Sequence, residues 1–295
     1  MVGVLNLSSV GGRLPVEIHS NYCVDSVRAN DPDRYILAML APPAARDALF
    51  ALYAFNVEIA RTRELVSEPA LGEIRLQWWR DGIAALYTGD GLRHEVSLAL
   101  GEAISEFGLT RLNFDQLIDA RAVDLDDNPP ETLNALVEYA EKTTAPLIAL
   151  ALQVVGESTP KAKAAARHIG VAWSLIGLIR ALPFHLRSRR QYLPRDVTTR
   201  HNVSTRNLLE LKPSSELNSA IKSLSDLAVA ELQVAREMQR RIGRDAIPVL
   251  LQARLAEIYL RRLASFGFDP FDPRNADAPP MAVWRLAWSK FRGRY

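Results

Sequence analysis

The segment from residue 170 to residue 194 places small and polar side chains beside a basic cluster. Ser174, Gly177, Ala181 and His185 follow one another at spacings of three, four and four, so on a helix they share one face. Apolar residues at helical spacing form a second stripe beside them, which is typical of a helix that packs on a core. The small and polar stripe therefore indicates either a close contact between two helices or the wall of a cavity.

His185 is the titratable side chain of this stripe, and its chemistry depends on its neighbours. A histidine binds a metal ion only together with further nitrogen, sulfur or carboxylate ligands at suitable spacing. Residues 170–194 contain no second His, no Cys and no acidic residue. The sequence therefore favours a structural or surface histidine, and a catalytic histidine is the alternative.

Aspartates gather between residues 119 and 127 and form a second candidate cluster. Asp124, Asp126 and Asp127 lie in a segment that ends in Asn128-Pro129-Pro130, where Asp and Asn are common because they stabilise turns. We expect these aspartates to serve as turn and capping residues. A substitute metal site is the alternative.

The overall composition is that of an ordinary globular protein. The chain has 295 residues, of which 48% are hydrophobic and 24% charged, and its formal net charge of +2 gives no indication of nucleic-acid binding. A single cysteine, Cys23, excludes an internal disulfide and a cysteine-based zinc site, and it suits a reducing, cytoplasmic compartment. No apolar run approaches the roughly 18–20 residues of a transmembrane helix.

Helical periodicity runs through almost the whole chain, and the alternation typical of strands is hard to find. We expect an all-α fold, with a flexible N-terminal arm over residues 1–20 and one helical domain over residues 21–295. Asp31 before Pro32 predicts the start of a capped helix, and Pro146 predicts a break or kink in another. The main helices are predicted at 20–41, 44–66, 71–88, 95–107, 110–122, 133–155, 160–190, 215–242, 248–266 and 281–295.

Aromatic residues mark two of these helices. Trp78 and Trp79 are adjacent, so their side chains point about 100° apart, and we expect one to pack inside while the other lines a groove. In the last helix, Trp284, Trp288 and Phe291 share a stripe with basic flanks. This pattern fits a helix that lies on a membrane surface, and it equally fits a terminal helix docked on the core.

Two regions of the chain resemble the motif regions of the squalene and phytoene synthases, which join prenyl diphosphates head to head. ALYAFNVEIARTRE at 51–64 and RLQWWRDGI at 75–83 resemble the first region, and GVAWSLIGLIRALPFHLRSRRQYLP at 170–194 resembles the second. The resemblance implies a single-domain isoprenoid synthase fold, a helical bundle around a central cavity. The residues that it places on the cavity wall are Tyr53, Asn56, Trp78, Ser174 and Gly177.

The aspartates with which this family binds Mg²⁺ are missing from the matching positions. Such enzymes hold a Mg²⁺–diphosphate cluster between carboxylates on two facing helices. The first-motif positions read Ala60, Arg61 and Glu64 here, and the second-motif positions read Ala181 and His185. Too few oxygen ligands remain, so we expect no catalytic residue, no metal site and no cofactor. Mg²⁺ is a cofactor only under the alternative that the chain is an active prenyl transferase with a displaced metal site.

Three arginines match basic positions that contact diphosphate in the family. Arg180, Arg187 and Arg190 carry guanidinium groups that suit phosphate oxygens, so binding of an isoprenoid diphosphate or another anionic lipid is one interpretation. A solvated or carboxylate-paired cluster is the favoured one. Asp124 resembles a family aspartate and is implied to order a helix end.

Several short runs resemble a non-catalytic branch of the family, the mitochondrial complex I assembly factor 6 type. They are AFNVE at 54–58, VSE at 66–68, QW at 77–78 and WSK at 288–290. The resemblance implies a protein partner, namely a subunit or assembly intermediate of the respiratory NADH:quinone oxidoreductase (complex I). The likeness is to that branch or a bacterial counterpart of it, and we expect a cytoplasmic location, peripheral on the inner face of the membrane. The alternatives are an active prenyl transferase and an isoprenoid or lipid carrier.

Overall fold

The computed structural model describes residues 16–91, 93–239, 242–275, 277 and 279–295, and within these ranges the chain forms helices and no strand. The all-α prediction is therefore confirmed. Short 3₁₀ helices stand at Pro43–Ala45, Arg121–Leu125, Arg244–Ala246 and Pro273–Asn275. The α-helices are α1 (Val16–Asn30), α2 (Pro32–Leu40), α3 (Arg46–Ala60), α4 (Thr62–Leu65), α5 (Pro69–Leu86), α6 (Glu95–Phe107), α7 (Arg111–Ala120), α8 (Leu133–Val154), α9 (Pro160–Arg187), α10 (Arg195–Arg200), α11 (Thr205–Leu209), α12 (Ser215–Glu237), α13 (Ile247–Leu250), α14 (Gln252–Ser265) and α15 (Ala282–Phe291).

Capping side chains set the starts of several helices. Asp31 separates α1 from α2 as predicted, and its carboxylate accepts a hydrogen bond from the backbone N–H of Arg34 at 3.0 Å. Thr132 and Thr159 accept equivalent bonds at the starts of α8 and α9. Pro146 lies inside α8, which continues through it without a break.

Two boundaries differ from those that the sequence predicts. The helix expected over 44–66 ends at Ala60, because the backbone of Arg61 leaves the helical conformation, and it resumes as the single turn α4. The flexible arm expected over 1–20 lies mostly outside the described residues. Residues 16–20 belong to the first helix, which begins at Val16.

Helices α8 and α9 lie at the centre of the bundle. α9 packs against α8, α12 and α14, and α3 packs against α1, α6 and α8. α8 and α9 approach closely at Gly170, where a Cβ atom would lie 3.0 Å from the backbone nitrogen of Ala145 and 3.2 Å from its Cα. Only glycine permits this separation of the two helices without a shift.

Among the described residues, α9 alone is long and apolar enough to cross a membrane by length and composition. The sequence does not predict this, because Arg180 and the small residues interrupt the apolar run. In the structure, 56% of the most apolar window of α9 is buried inside the bundle. A central helix with neighbours on several sides needs such a composition, so the packing accounts for it.

Candidate functional site

The small and polar stripe of α9 borders open space. No other side chain or neighbouring backbone lies within 4 Å of the position that a Cβ atom of Gly177 would take. Ser174, Gly177 and His185 line a cavity of about 160 Å³ between α2, α3, α8 and α9. The stripe is therefore a cavity wall at these positions, and the close helix contact lies earlier on α9, at Gly170.

The rest of the cavity wall is also polar. Asn56, which the family resemblance implies, projects from α3, and Thr143 projects from α8. Thr143 is not among the residues predicted from the sequence, although it stands four residues after Tyr139, another lining residue, and so shares its helical face. The remaining lining residues are Arg34, Arg121, Thr144, Trp173 and Leu178.

Buried polar atoms around the cavity lack partners among the described residues. They include Oδ1 of Asn56, Nδ1 of His185 and Nε of Arg34. Asn56 is 5% exposed and Arg34 is 7% exposed, so bulk water does not satisfy these groups freely. The cavity therefore suits polar occupants such as ordered water.

Two of the residues implied to line the cavity lie elsewhere. Tyr53 is buried beside Arg34, whose guanidinium carbon is 5.8 Å from the centre of the tyrosine ring. Trp78 stands at the surface, where its ring centroid lies 5.0 Å from that of Trp79 and 5.7 Å from that of His94. Trp78 is not among the residues that line the 160 Å³ cavity, because α5 turns its Trp79 side towards the core. Trp79 is 1% exposed and Trp78 is 40% exposed.

The first-motif positions lie at the end of α3, where an ion pair and a hydrogen bond hold them. The Nη1 of Arg61 donates to Oδ1 of Asn30 at 2.9 Å, and its Nε lies 3.5 Å from Oε2 of Glu64. Ala60, the last residue of α3, has no polar side chain to contribute. Glu64, the carboxylate that remains in this motif, is therefore already paired with a cation.

The second-motif positions offer an alanine and a neutral imidazole. Ala181 does not line the cavity, and the ring of His185 packs on that of Tyr192 with centroids 4.7 Å apart. Burial, and after it the neighbouring Arg190, lowers the pKa of His185 from 6.5 to about 4. The imidazole is therefore uncharged at neutral pH.

Asp124 is the centre of a buried network. Its carboxylate accepts hydrogen bonds from the hydroxyls of Tyr139 at 2.6 Å and Tyr192 at 2.8 Å, and it lies 3.3 Å from the Arg121 guanidinium. Burial and the Asp124 charge raise the pKa of both tyrosines, so both phenols stay protonated and donate. The network joins the 3₁₀ turn before α8, α8 itself and the segment after α9.

The three candidate arginines do not converge on one site. Arg180 lies 3.2 Å from Asp33, and its guanidinium carbon stands 3.6 Å from the centre of the Tyr259 ring. Arg187 is exposed. Arg190 is buried beside a separate groove of about 330 Å³ between the acidic turn and α8. Arg180 and Arg190 therefore line different pockets.

The carboxylates near the cavity do not fit a Mg²⁺ site. Asp31 lies 2.6 Å from Arg34, Asp33 is paired with Arg180, and Asp124 belongs to the network described above. Mg²⁺ needs carboxylate oxygens that are free to enter an octahedral shell, whereas these carboxylates already neutralise protein cations. In the described part of the chain, no three His, Cys, Asp or Glu side chains stand close enough to hold a metal ion.

A larger groove lies away from the cavity, on another face of α8. It measures about 750 Å³, and Leu112 and Gln116 of α7 and Pro146 and Ala149 of α8 line it. Of the candidate residues, Asp119 of the acidic cluster lines this groove. Its carboxylate lies 2.6 Å from Arg80, and that of Glu141, also on the wall, lies 2.7 Å from Arg167, so the size of the groove alone does not make it a site.

Comparison with known proteins gives two kinds of relative. The bovine protein named NADH dehydrogenase (ubiquinone) complex I, assembly factor 6 is 31% identical over 285 residues, which cover 96% of this chain and 86% of the bovine one. The presqualene diphosphate synthase of Rhodopseudomonas palustris is 24% identical over 216 residues, which cover 72% of this chain and 76% of that one.

The structure is also similar to a solved one. A dehydrosqualene synthase crystallised with a ligand superimposes with a TM-score of 0.82 at 20% identity, covering 94% of this chain and 97% of that one. This similarity shows the isoprenoid synthase fold. The sequence profile of the squalene/phytoene synthases matches residues 27–292, and the chain therefore belongs to the squalene/phytoene synthase family.

Proposed function

We propose that this protein acts by binding and not by prenyl transfer, as an assembly factor for complex I. The observation that carries the proposal is the state of the carboxylates around the cavity. Asp31, Asp33 and Glu64 are each paired with an arginine, and Asp124 is held by two phenols and an arginine. A set of free oxygen ligands for a metal-bound diphosphate does not remain. The similarity to the complex I assembly factor 6 proteins supports the same function.

The cavity is a poor container for an isoprenoid chain. Sites for small organic ligands are mostly apolar. This cavity of about 160 Å³ adjoins a pocket of about 270 Å³ that shares Arg34, Trp173 and Gly177 with it, and polar or charged side chains form much of the wall of both. The polarity of this space therefore argues against the carrier hypothesis.

We propose that the partner is a subunit or assembly intermediate of complex I, met at the cytoplasmic face of the membrane. A protein partner needs an exposed apolar surface with aromatic anchors. The α5 stripe, which we define as Leu71, Ile74 and Trp78, offers one: these residues are 47%, 66% and 40% exposed. Their spacing of three and four places them on one side of α5.

Deleting the gene in the source organism tests the proposal. We expect assembled complex I, measured by native gel electrophoresis with NADH dehydrogenase staining, to fall, and hopanoid and carotenoid levels to stay unchanged. Complementation with a Leu71→Ser/Ile74→Ser/Trp78→Ser variant should restore less complex I than the wild type. Leu112→Ser, at an exposed leucine of α7, is the matched control. Normal complex I together with altered isoprenoid levels would overturn the proposal.

A direct assay addresses the enzymatic alternative. Purified protein incubated with farnesyl or geranylgeranyl diphosphate and Mg²⁺ is expected to give no condensed product and no released diphosphate. Magnesium-dependent turnover would establish the active prenyl transferase instead.

A further inference from the structure

The C-terminal helix α15 carries the most exposed aromatic side chains of the described residues. Trp284, Trp288 and Phe291 are 71%, 60% and 78% exposed. Their spacing of four and three places them on one stripe, and the rings of Trp288 and Phe291 stack with centroids 5.8 Å apart. We call these three residues the aromatic stripe. Large apolar side chains grouped on a surface indicate an interaction site.

The opposite side of α15 is fixed to the body of the protein. Ala282 and Leu286 are buried, and α15 packs against α14. Beyond the helix, Tyr295 is 1% exposed, and its hydroxyl donates to the carbonyl oxygen of Ala235 at 2.9 Å. The helix is therefore docked on the core, and its docking leaves the aromatic stripe facing outwards.

The charged side chains within residues 281–295 are all positive. Residues 281–295 contain Arg285, Lys290, Arg292 and Arg294 and no acidic side chain. The net charge of the whole chain is only +2, so this end of the molecule is far more basic than the rest. Aromatic rings flanked by cations match the interface of an anionic bilayer, where rings sit among the headgroups and cations meet phosphates.

We propose that α15 is a membrane-docking helix that binds an anionic phospholipid surface. Trp284, Trp288 and Phe291 enter the boundary between headgroups and acyl chains, and the flanking cations contact the phosphates. A protein partner could also cover the aromatic stripe, but the absence of any acidic residue in 281–295 favours a surface of uniform negative charge. The inference deepens the proposed function by naming the element that holds the protein at the membrane. The inference depends on the proposed function only for the identity of the membrane that α15 binds.

Co-sedimentation of the full chain with phospholipid vesicles tests the inference. We expect binding to vesicles that contain phosphatidylglycerol, weaker binding to phosphatidylcholine alone, and a loss of binding as salt is raised. Trp284→Ala/Trp288→Ala/Phe291→Ala should lower the affinity by at least about tenfold, because it removes most of the apolar surface that the bilayer buries. Replacing Arg285, Lys290 and Arg292 with glutamine should lower the affinity by about fivefold for each charge removed, and only for the anionic vesicles.

Exposed residues outside α15 provide the matched controls. Leu112→Ala/Leu209→Ala removes exposed apolar side chains, and Arg206→Gln/Lys222→Gln removes exposed cations, and both should bind like the wild type. Circular dichroism and Tm should match across the set, since all these side chains are exposed. Equal binding by the wild type and the aromatic variant would overturn the inference, and so would the failure of the wild type to bind.

Complex I assembly in cells separates this inference from the proposed function. If the protein binds anionic vesicles but deletion of its gene leaves complex I intact, the membrane-docking helix is supported and the proposed assembly function is excluded. A protein that binds no vesicle, yet needs the aromatic stripe to support complex I, would use the stripe as a protein interface, which contradicts the lipid assignment.

Discussion

At the scale of single residues, a substitution of Asp124 tests how much the buried network around this carboxylate stabilises the bundle. Asp124→Asn removes the charge that faces Arg121, whose side chain is 12% exposed. Loss of one partner from a buried ion pair costs roughly 3–5 kcal/mol. We expect the free energy of unfolding, measured with urea, to fall by about that amount.

Asp126→Asn is the matched control, because Asp126 lies in the same acidic segment and is exposed. A surface substitution of this kind changes stability by about 0.5 kcal/mol or less. The loss in free energy of unfolding for Tyr192→Phe should lie between those of Asp124→Asn and Asp126→Asn, since this variant removes one hydrogen bond to a charged group, worth roughly 1.5–3 kcal/mol. Equal losses for Asp124→Asn and Asp126→Asn would contradict the network.

His185 makes the stability of the protein depend on pH in a defined window. Its pKa is about 4 in the folded protein, against an ordinary value of 6.5. Below pH 6.5 the unfolded chain gains a proton at this residue while the folded protein does not, so stability falls as the pH drops towards 4. The slope reaches about 1.4 kcal/mol per pH unit.

Urea unfolding at pH 7 and at pH 5 measures this effect. The wild type should lose more stability between the two than His185→Gln, which has no imidazole to titrate. His201→Gln, which removes a histidine outside the cavity, should behave like the wild type. An equally steep loss in His185→Gln would exclude the buried imidazole as the cause.

At the scale of helices, two glycines of α9 should respond to the same substitution with opposite signs. Gly170→Ala places a methyl group against the backbone of Ala145, so it overpacks the contact between α8 and α9 and should destabilise the protein by roughly 1–3 kcal/mol. Gly177→Ala meets open space and should stabilise it by about 0.5–1 kcal/mol, because alanine loses less backbone entropy in a helix. Urea unfolding of both variants gives the comparison. Stabilisation by both would mean that α8 and α9 do not approach closely at Gly170.

Features set by neighbours in the chain are predictable from the sequence. The break between α1 and α2 follows from Asp31 and Pro32, and the two lie within a single turn of the residues that they cap. Ser174, Gly177 and His185 are found as one face because helical spacing alone puts them there. The resemblance to the family adds Asn56 on the facing helix.

Features set by distant residues are not predictable from one sequence. Arg61 bonds to Asn30 across 31 residues, and Tyr192 bonds to Asp124 across 68. The position of Trp78 depends on the rotation of α5 about its own axis, which is decided by its packing on α6 and α7, whereas the sequence shows only that two adjacent tryptophans point apart.

At the scale of the whole molecule, the bundle has the fold of the squalene/phytoene synthases. Arginines near its cavity are paired with the acidic residues there. The exposed apolar side chains instead lie on outer surfaces, in the α5 stripe and the aromatic stripe of α15. This distribution of paired charges and exposed apolar side chains is the one expected of a protein that acts through its surface.

That distribution predicts how the whole molecule responds to the ligands of a prenyl transferase. A ligand at a hundredfold excess over its Kd adds about 2.7 kcal/mol to the stability of the protein that binds it, and so raises Tm by several degrees. Because the carboxylates of Asp31, Asp33, Glu64 and Asp124 around the cavity are each paired with an arginine, we expect Mg²⁺ with farnesyl diphosphate to leave Tm unchanged in differential scanning calorimetry. The presqualene diphosphate synthase of Rhodopseudomonas palustris is the control and should show the rise. A rise in this protein that disappears with EDTA would mean that the paired carboxylates exchange their arginines for metal, and the enzymatic alternative would then account better for the cavity.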